Sequence, residues 1–208
     1  MAPERLEPFR QALVDLRRRL RDGALEPGAR ITAKEVADQL KLSHTPVREA
    51  LSRLAGEGLL EDRRGDGFFV PELTVADIAI LYRLSEQLLL MCQGAGRAPS
   101  PQIRPSSPPE DMDPVRAVER LFLAWASEGG SRVILDAFRT TMLQLAPVRR
   151  REVQLIDDLA QEAAALQQLA DPDERRRRPA AIQQFHRRRV ALAEPLARLL
   201  EPPRAEGE

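Results

Sequence analysis

Four hydrogen-bond donor side chains stand at the start of one amphipathic segment: Ser43, His44, Thr45 and Arg48. The apolar stripe of this segment has helical spacing and consists of Val47, Ala50, Leu51 and Leu54. Pro46 suits the first turn of a helix, because its missing N–H would have no partner there. Hydroxyl, imidazole and guanidinium groups at a helix N-terminus can donate to phosphates and base edges. The segment therefore predicts a contact with nucleic acid.

A second helix must precede this one. Thr32 and Glu35 have the spacing of a capping box, which marks a helix N-terminus. Its expected apolar face is Val36, Ala37 and Leu40. Only Lys41-Leu42-Ser43 then separate the two helices. Such a pair is a helix-turn-helix, which inserts the N-terminal end of its second helix into the major groove.

Two further elements flank the pair. An earlier helix has Phe9, Leu13, Leu16 and Leu20 on one face and ends at Asp22-Gly23, a helix-stop signal. On the other side, Leu59-Leu60-Glu61 and Phe68-Phe69-Val70 predict two strands. The polar, glycine-containing segment between them predicts the turn of a β-hairpin. Residues 1–72 are therefore predicted to form a winged helix-turn-helix with a two-stranded wing.

These residues resemble the DNA-binding domain of GntR-family transcription regulators. Residues 42–54 read L-S-H-T-P-V-R-E-A-L-S-R-L, similar to the family's V-S-R-T-P-V-R-E-A-L-x-R-L. R-D-G-A-L-E-P-G at 21–28, E-G-L at 57–59 and G-D-G-F-F-V at 65–70 follow the family's order and spacing. His44 departs from the pattern, because the family usually has a guanine-reading Arg there. We therefore do not expect the family's common operator to be read unchanged.

The resemblance implies a set of DNA-contacting residues. These are Lys34, Ser43, His44, Thr45, Arg48, Arg53, Arg63, Arg64 and Gly67. The alternative for Lys34, Arg48 and Arg53 is an exposed helix surface, where charged side chains form i,i+4 pairs. Arg63 and Arg64 suit the minor groove or the DNA backbone, but the tip of any hairpin is polar.

The rest of the chain, residues 73–203, is predicted to be an all-helical domain, so the protein is mostly α. Thr74 can cap a helix through Asp77, and the expected inward residues are Ile78, Leu81, Leu84 or Ser85, Leu88 and Met91. Six prolines between about 94 and 114 predict a loop. Four helical runs follow, at about 115–128, 131–146, 149–170 and 179–200.

These helices resemble the effector domain of the FadR-like branch of the family. Its FCD subgroup binds a divalent metal with one Asp and three His. An alignment on Ala126-Ser127 places Arg116 near the expected Asp and Arg120 at the first His. Counting back from Asp171 places Ala160 at the second His. Only His186 remains as a ligand candidate. We therefore expect no metal and no other cofactor.

Arg116 and Arg120 are four residues apart and share a helix face. If that face points inward, a guanidinium could hold an acidic effector without metal, and His186 is a further candidate contact. If it points outward, both pair with glutamates, and Leu121, Phe122 and Trp125 belong to the core. Three arginine runs, at 149–151, 175–178 and 187–189, are expected to be solvated helix ends. A second DNA contact or an acidic partner is the alternative for these runs.

The amino-acid composition limits the classes of function that this protein can have. The chain has 32 basic and 32 acidic residues, so a DNA-binding surface must be local rather than global. A single cysteine, no signal-peptide pattern and no membrane-length apolar run fit a cytoplasmic protein. No Ser-His-Asp set or phosphate-binding glycine loop indicates an enzyme.

We therefore expect a DNA-binding transcriptional regulator. The leading hypothesis is a homodimeric repressor that binds an inverted-repeat operator and responds to a small acidic or apolar effector. The homodimer is expected to form through the C-terminal helices. The alternative is a regulator whose C-terminal domain has lost ligand binding and serves only dimerisation or protein contact.

Overall fold

The structure is a computed structural model and describes residues 3–94 and 113–201. Its contacts divide the chain into two compact units, Met1–Leu73 and Thr74–Glu208. Residues 95–112, most of the proline-rich segment expected to be a loop, lie outside the described residues. Among the residues described, no helix is long and apolar enough to cross a bilayer.

The N-terminal unit consists of three helices and a small sheet. Its elements are α1 (Pro3–Arg21), β1 (Arg30–Ile31), α2 (Ala33–Leu40), α3 (His44–Gly56), β2 (Glu61–Arg63) and β3 (Gly67–Phe69). The predicted stripe of α3 is fully buried: Val47, Ala50, Leu51 and Leu54. On α1, Leu16 and Leu20 of the predicted face are buried, but Phe9 and Leu13 are only partly buried, and Ala12, which was not predicted, is buried instead. The backbone N–H of Glu35 donates to Thr32 Oγ1 at 3.2 Å, which confirms the cap of α2.

The sheet has three strands rather than the two predicted. β3 lies in the centre and pairs antiparallel with both β1 and β2. Phe68 of the central strand is opposite Ile31 of β1 and Asp62 of β2. β1 has only two residues, so it shows no alternating pattern in the sequence. Gly28, at φ +76°, precedes it, and its N–H donates to the Val70 carbonyl at 2.9 Å.

The C-terminal unit is helical throughout its described part. Its helices are α4 (Val75–Gly94), α5 (Pro114–Glu128), α6 (Arg132–Arg149), α7 (Leu159–Gln168), α8 (Arg178–Ala191) and α9 (Ala193–Arg198). Short 3-10 segments lie at Glu152–Gln154 and Pro172–Arg177. The run predicted at 149–170 is wrong in its first part, because α7 begins only after Asp157 and Asp158, which favour helix starts over helix interiors. The run predicted at 179–200 breaks at Leu192, and Pro195 lies in the first turn of α9.

The capping box of α4 is complete. The Asp77 N–H donates to Thr74 Oγ1 at 3.2 Å, and the Thr74 N–H donates to Asp77 Oδ2 at 3.0 Å. The face predicted to be inward is partly wrong. Ile78, Ser85 and Leu88 are buried, but Leu84 and Met91 are 43% and 56% exposed. Tyr82, Leu89 and Cys92 are buried in their place.

The core of this unit is aromatic at its centre. Phe122 contacts the rings of Trp125, Phe185 and His186 at centroid distances of 5.4, 4.9 and 5.7 Å. Cys92 is fully buried at one end of the cluster, against the end of α5. A Cβ at Gly129 would lie 2.9 Å from Cys92 Cα, so only glycine allows this close approach of the two helices.

Candidate nucleic-acid interface

The turn between α2 and α3 begins with a left-handed residue. Lys41 has φ 55° and ψ 41°, a conformation that a non-glycine residue adopts at a cost of about 1–2 kcal/mol. The Leu42 N–H donates to the Ala37 carbonyl at 3.0 Å, which satisfies a carbonyl at the end of α2. This compact turn fixes where α3 begins.

The four donors predicted from the sequence lie together at the N-terminal end of α3. Ser43 is the N-cap residue, and its side chain makes no capping hydrogen bond. His44 and Thr45 form the first turn with Pro46, and Arg48 follows one turn later. All four predicted donors are exposed. The end of the helix therefore presents a hydroxyl pair, an imidazole and a guanidinium to solvent.

Lys34 is exposed in the first turn of α2. Neither it nor Arg48 forms an ion pair with any residue that the structure describes. Their charges are therefore not neutralised within the unit, and phosphate groups are suitable partners.

Arg53 differs from these residues. Its Nε atom lies 2.7 Å from Glu57 Oε1, and Arg17 binds the other oxygen of Glu57 at 2.6 Å. This i,i+4 pair is the alternative that the sequence left open for Arg53. The residue also lies nine positions after His44, about 13 Å along the helix axis. The structure therefore does not bring Arg53 together with the donors at the start of α3.

The wing presents two further arginines. Arg63 pairs with Glu61 at 2.9 Å and lies over the Phe69 ring, 4.2 Å from its centroid. Arg64 is exposed in the turn, where the described residues offer it no ion pair. Gly67 has φ +107°, which L side chains rarely adopt, so the hairpin requires glycine at this position. Arg64 is thus the wing residue best placed to meet a phosphate.

The candidate effector residues are not arranged as the inward-facing hypothesis requires. Arg116 and Arg120 are both exposed, so of the two orientations that the sequence left open, the structure shows the outward one. Leu121, Phe122 and Trp125 occupy the inward face of α5, because burying these apolar surfaces is more favourable than burying two guanidinium groups.

His186 is buried and hydrogen-bonded. Its Nε2 atom lies 3.0 Å from Ser85 Oγ, and its Nδ1 atom lies 2.7 Å from the Ile182 carbonyl. Burial lowers its pKa from 6.5 to about 4, so the ring is neutral at physiological pH. Among the described residues, no three His, Cys, Asp or Glu side chains are grouped in a way that could hold a metal ion.

The structure reveals buried arginines that the sequence analysis missed. Each arginine run was expected to be solvated, yet each places one side chain inside the C-terminal unit. Arg149, Arg178 and Arg189 are only 2%, 1% and 1% exposed. Arg178 and Arg189 pair with carboxylates that are distant in the sequence, and Glu152, three residues after Arg149, lies beyond the end of α6. Residue spacing therefore did not predict that these arginines are buried.

Arg189 and Glu152 form the centre of this buried polar network. Arg189 Nη2 lies 2.8 Å from Glu152 Oε2 and 2.7 Å from Glu162 Oε2. The Tyr82 hydroxyl donates to Glu152 Oε1 at 2.7 Å. Burial opposes ionisation of Glu152, but the charges of Arg189 and Arg149 outweigh it and lower the pKa of this carboxyl. The network therefore connects α4, α7 and α8 through two ion pairs and the hydrogen bond from Tyr82.

A groove lies between α7 and α8 on the same unit. Its volume is about 750 Å³, and it extends to the 3-10 segment Pro172–Arg177. Glu162, Arg176 and Phe185 are among its lining residues. This size falls within the range of about 300–1,000 Å³ that is typical of small-molecule sites.

The N-terminal unit is similar to the DNA-binding part of known regulators. Residues 9–70 match the family described as "Bacterial regulatory proteins, gntR family". The chain is 43% identical over 77 residues to the HTH-type transcriptional regulator McbR of Escherichia coli strain K12, which covers 37% of this chain and 35% of that protein. It is 43% identical over 74 residues to the Nta operon transcriptional regulator of Aminobacter aminovorans, again 35% of that protein's length. These matches thus span about a third of each relative, and both relatives are named as regulators rather than enzymes.

Two solved structures extend the likeness of fold to most of the chain. The structure of E. coli McbR/YncC has a TM-score of 0.63 and 23% identity, covering 90% of this chain and 97% of that one. A GntR transcriptional regulator from Rhodococcus sp. RHA1 has a TM-score of 0.69 and 18% identity over the same shares. The predicted fold class, a winged helix-turn-helix followed by a helical domain, is therefore confirmed. The winged helix-turn-helix of this chain is thus similar to the GntR family of bacterial regulators over residues 9–70.

Proposed function

We propose that this protein is a sequence-specific transcriptional regulator that binds an inverted-repeat operator as a homodimer, represses transcription and responds to a small effector. One observation carries the DNA-binding part of the proposal. The first turns of α3 present Ser43, His44, Thr45 and Arg48 to solvent, and Arg48 has no ion pair with any described residue. A helix-turn-helix uses this end of its second helix to read bases.

The surface of α4 supports the homodimer. Ile80, Leu84 and Met91 are 58%, 43% and 56% exposed. Their spacings of four and seven residues place them on one face of the helix. An exposed apolar stripe is costly in water, and a second copy related by a two-fold axis presents the same stripe. Mutual burial of the two stripes is therefore the arrangement that we propose.

The second candidate is a regulator whose C-terminal unit binds no effector. The buried ion pairs favour it, because Arg149, Glu152 and Arg189 fill space among the helices that an effector could otherwise occupy. The groove between α7 and α8 favours the first candidate, because it offers a separate site of suitable size.

Selection of binding sites from random DNA with the full chain tests the proposed function. A two-fold dimer should select an inverted repeat and protect roughly 15–20 bp if its two recognition helices lie close together. An asymmetric or direct-repeat motif would contradict the dimer, and recovery of no motif would contradict sequence-specific binding.

The same selection with His44→Arg tests the contact of residue 44. A neutral imidazole lacks the five-donor fork of arginine, so the wild type should read the facing base pair less strictly. The variant should gain a preference for guanine at one position in each half-site. Identical preferences of the two proteins would exclude a base contact for His44.

A further inference from the structure

We propose that Arg30 of β1 is a further DNA-contacting residue, and that its guanidinium binds a phosphate of the DNA backbone beside the wing. The proposal rests on the function proposed above and adds a contact that the sequence motifs did not assign. Three features of Arg30 support it: its place on the outer face of the sheet, its position against Gly67, and its lack of an anionic partner among the described residues.

Strand β1 turns Arg30 away from the core. Successive side chains of a strand point to opposite faces, and here Ile31 is buried whereas Arg30 is exposed. Arg30 is directly opposite Phe69 of β3, which is in turn opposite Glu61 of β2. These three side chains therefore share the outer face of the three-stranded sheet.

The guanidinium of Arg30 lies against the backbone of the wing. A Cβ at Gly67 would lie 3.5 Å from Arg30 Nε and 4.0 Å from its Nη2 atom. On the other side of β3, Arg63 is directly opposite Gly67. Because Gly67 has no side chain, the two arginines flank a stretch of bare backbone that a phosphate group can approach closely.

The two arginines beside Gly67 differ in their partners. Arg63 is bound by Glu61, with its Nε and Nη2 atoms 3.1 and 2.9 Å from Glu61 Oε2. Arg30 forms no ion pair or side-chain hydrogen bond with any residue that the structure describes. A guanidinium fork matches the geometry of phosphate oxygens. The charge that remains for a phosphate at this place is therefore that of Arg30.

Arg30 also lies between two other cations. Lys34 follows it by four residues, in the first turn of α2, and Arg64 lies in the turn between β2 and β3. Both are exposed, and neither forms an ion pair within the described part of the chain. β1 connects these places, because it pairs with β3 and leads directly into α2. A DNA strand, with its regularly spaced phosphates, is the partner that fits such a set of cations.

The salt dependence of DNA binding tests the contact. Each neutralised phosphate contributes about 0.9 to the slope of log K against log salt concentration, so Arg30→Gln should reduce the slope by about two in a dimer. At about 0.1 M salt the loss of affinity should be roughly ten- to a hundredfold. Because a phosphate contact carries no sequence information, the selected operator and an unrelated duplex of equal length should show similar losses. Fluorescence anisotropy with labelled duplexes and the full chain measures both quantities.

Two further variants separate a phosphate contact from a structural role. Arg30→Lys keeps the positive charge and should restore most of the slope, which a role of the arginine in the sheet alone would not do. Arg10→Gln is the matched control. It removes another exposed arginine without an ion pair in the described residues, on α1 and outside this surface, and it should leave the slope unchanged.

The outcomes distinguish this contact from the proposed function. An unchanged slope in Arg30→Gln, while the wild type binds its selected sequence, would overturn the phosphate contact alone. A loss limited to the selected sequence, an equal loss in Arg10→Gln, or no recovery in Arg30→Lys would also overturn it. If the wild type selects no DNA motif, the proposed function fails, whereas the slopes on the unrelated duplex still decide whether Arg30 contacts phosphate.

Discussion

Arg189 and Glu152 form an ion pair whose Nη2 and Oε2 atoms lie 2.8 Å apart, and both side chains are almost completely removed from water. Each charge has a further partner. Glu162 pairs with the arginine, and the Tyr82 hydroxyl donates to the carboxylate. Taking two charges out of water costs several kcal/mol for each ion, so the pair persists only because each partner compensates the other. Removing one partner is therefore expected to be much more harmful than removing an exposed pair.

Glu152→Gln should lower the free energy of unfolding of the C-terminal unit by about 3 kcal/mol, because it leaves Arg189 and Arg149 with too few buried anions. Urea denaturation followed by the fluorescence of Trp125, the single tryptophan, measures this. Glu194→Gln is the matched control. It breaks the exposed pair with Arg198, so its effect should stay below about 0.5 kcal/mol. Equal effects of the two variants would contradict the structural importance of the buried pair.

The stability of the C-terminal unit should fall as the pH drops from about 6.5 to about 4. The folded pKa of His186 is lowered to about 4 by burial, whereas the unfolded ring titrates near 6.5. The contribution of the neutral ring is thus complete above pH 6.5 and is lost as the pH falls through the folded pKa, by about 3 kcal/mol in total.

His186→Gln isolates that contribution, because carboxylates also titrate in this range. Urea denaturation of the variant at about pH 7 and about pH 5 should show a smaller loss of stability than the wild type. His44→Gln, a change at the exposed histidine, should reproduce the wild-type dependence. A wild-type dependence in His186→Gln would show that the buried ring is not the group responsible.

Arg48→Ala should abolish specific operator binding while leaving the dimer intact. A bidentate base contact contributes about 1–3 kcal/mol, and the exposed Arg48 makes no ion pair with the described residues that its loss would disturb. Gel-shift titration on the selected DNA, with Arg132→Ala as the matched control, measures the change. Unchanged affinity of Arg48→Ala would reject α3 as the recognition helix.

Leu84→Glu should convert the dimer into a monomer by placing a charge within the apolar stripe of α4. Sedimentation equilibrium gives the molecular mass directly. Val133→Glu changes a valine that is 81% exposed on α6, so this control should remain dimeric. If Leu84→Glu also remains dimeric, the subunits associate through another surface.

Purified, untagged protein should contain no tightly bound Zn, Ni or Mn. The alignment with the FCD subgroup leaves His186 as the one candidate ligand, and Ser85 and Ile182 already engage both of its ring nitrogens. Elemental analysis measures the content per chain. A content near one metal ion per chain would show that the alignment of the C-terminal helices is wrong.

Most elements of the N-terminal unit could be predicted from short sequence patterns. The stripe from Val47 to Leu54 has a clear helical period. Thr32 and Ser43, residue types that favour the N-cap position, stand immediately before the helices α2 and α3. The short strand β1 could not be predicted, because two residues have no period and the pairing with β3 is distant in sequence. The exposure of Lys34, Arg48 and Arg64 followed from their positions in these elements. For Arg53 the sequence was compatible with both a DNA contact and an i,i+4 ion pair, and the structure shows the pair with Glu57.

The C-terminal unit was less predictable for two physical reasons. In α4 the run Leu88-Leu89-Leu90-Met91 is apolar on every side, so periodicity could not select the inward face. Side-chain charge was also a poor guide to exposure. Arg149 and Arg189 are buried because carboxylates from other parts of the fold meet them, and such pairs leave no mark in local sequence.

Cys92, the only thiol of the chain, packs closely against Gly129. The rate at which a thiol reagent labels it therefore reports how often the surrounding helices open. Burial raises the pKa of Cys92 and excludes reagents from its sulfur, so alkylation must wait until the helices around it separate. The labelling rate of the native protein then reports the free energy of that opening, without denaturant. A wild-type chain thus carries its own probe for whether bound DNA stabilises the helical unit.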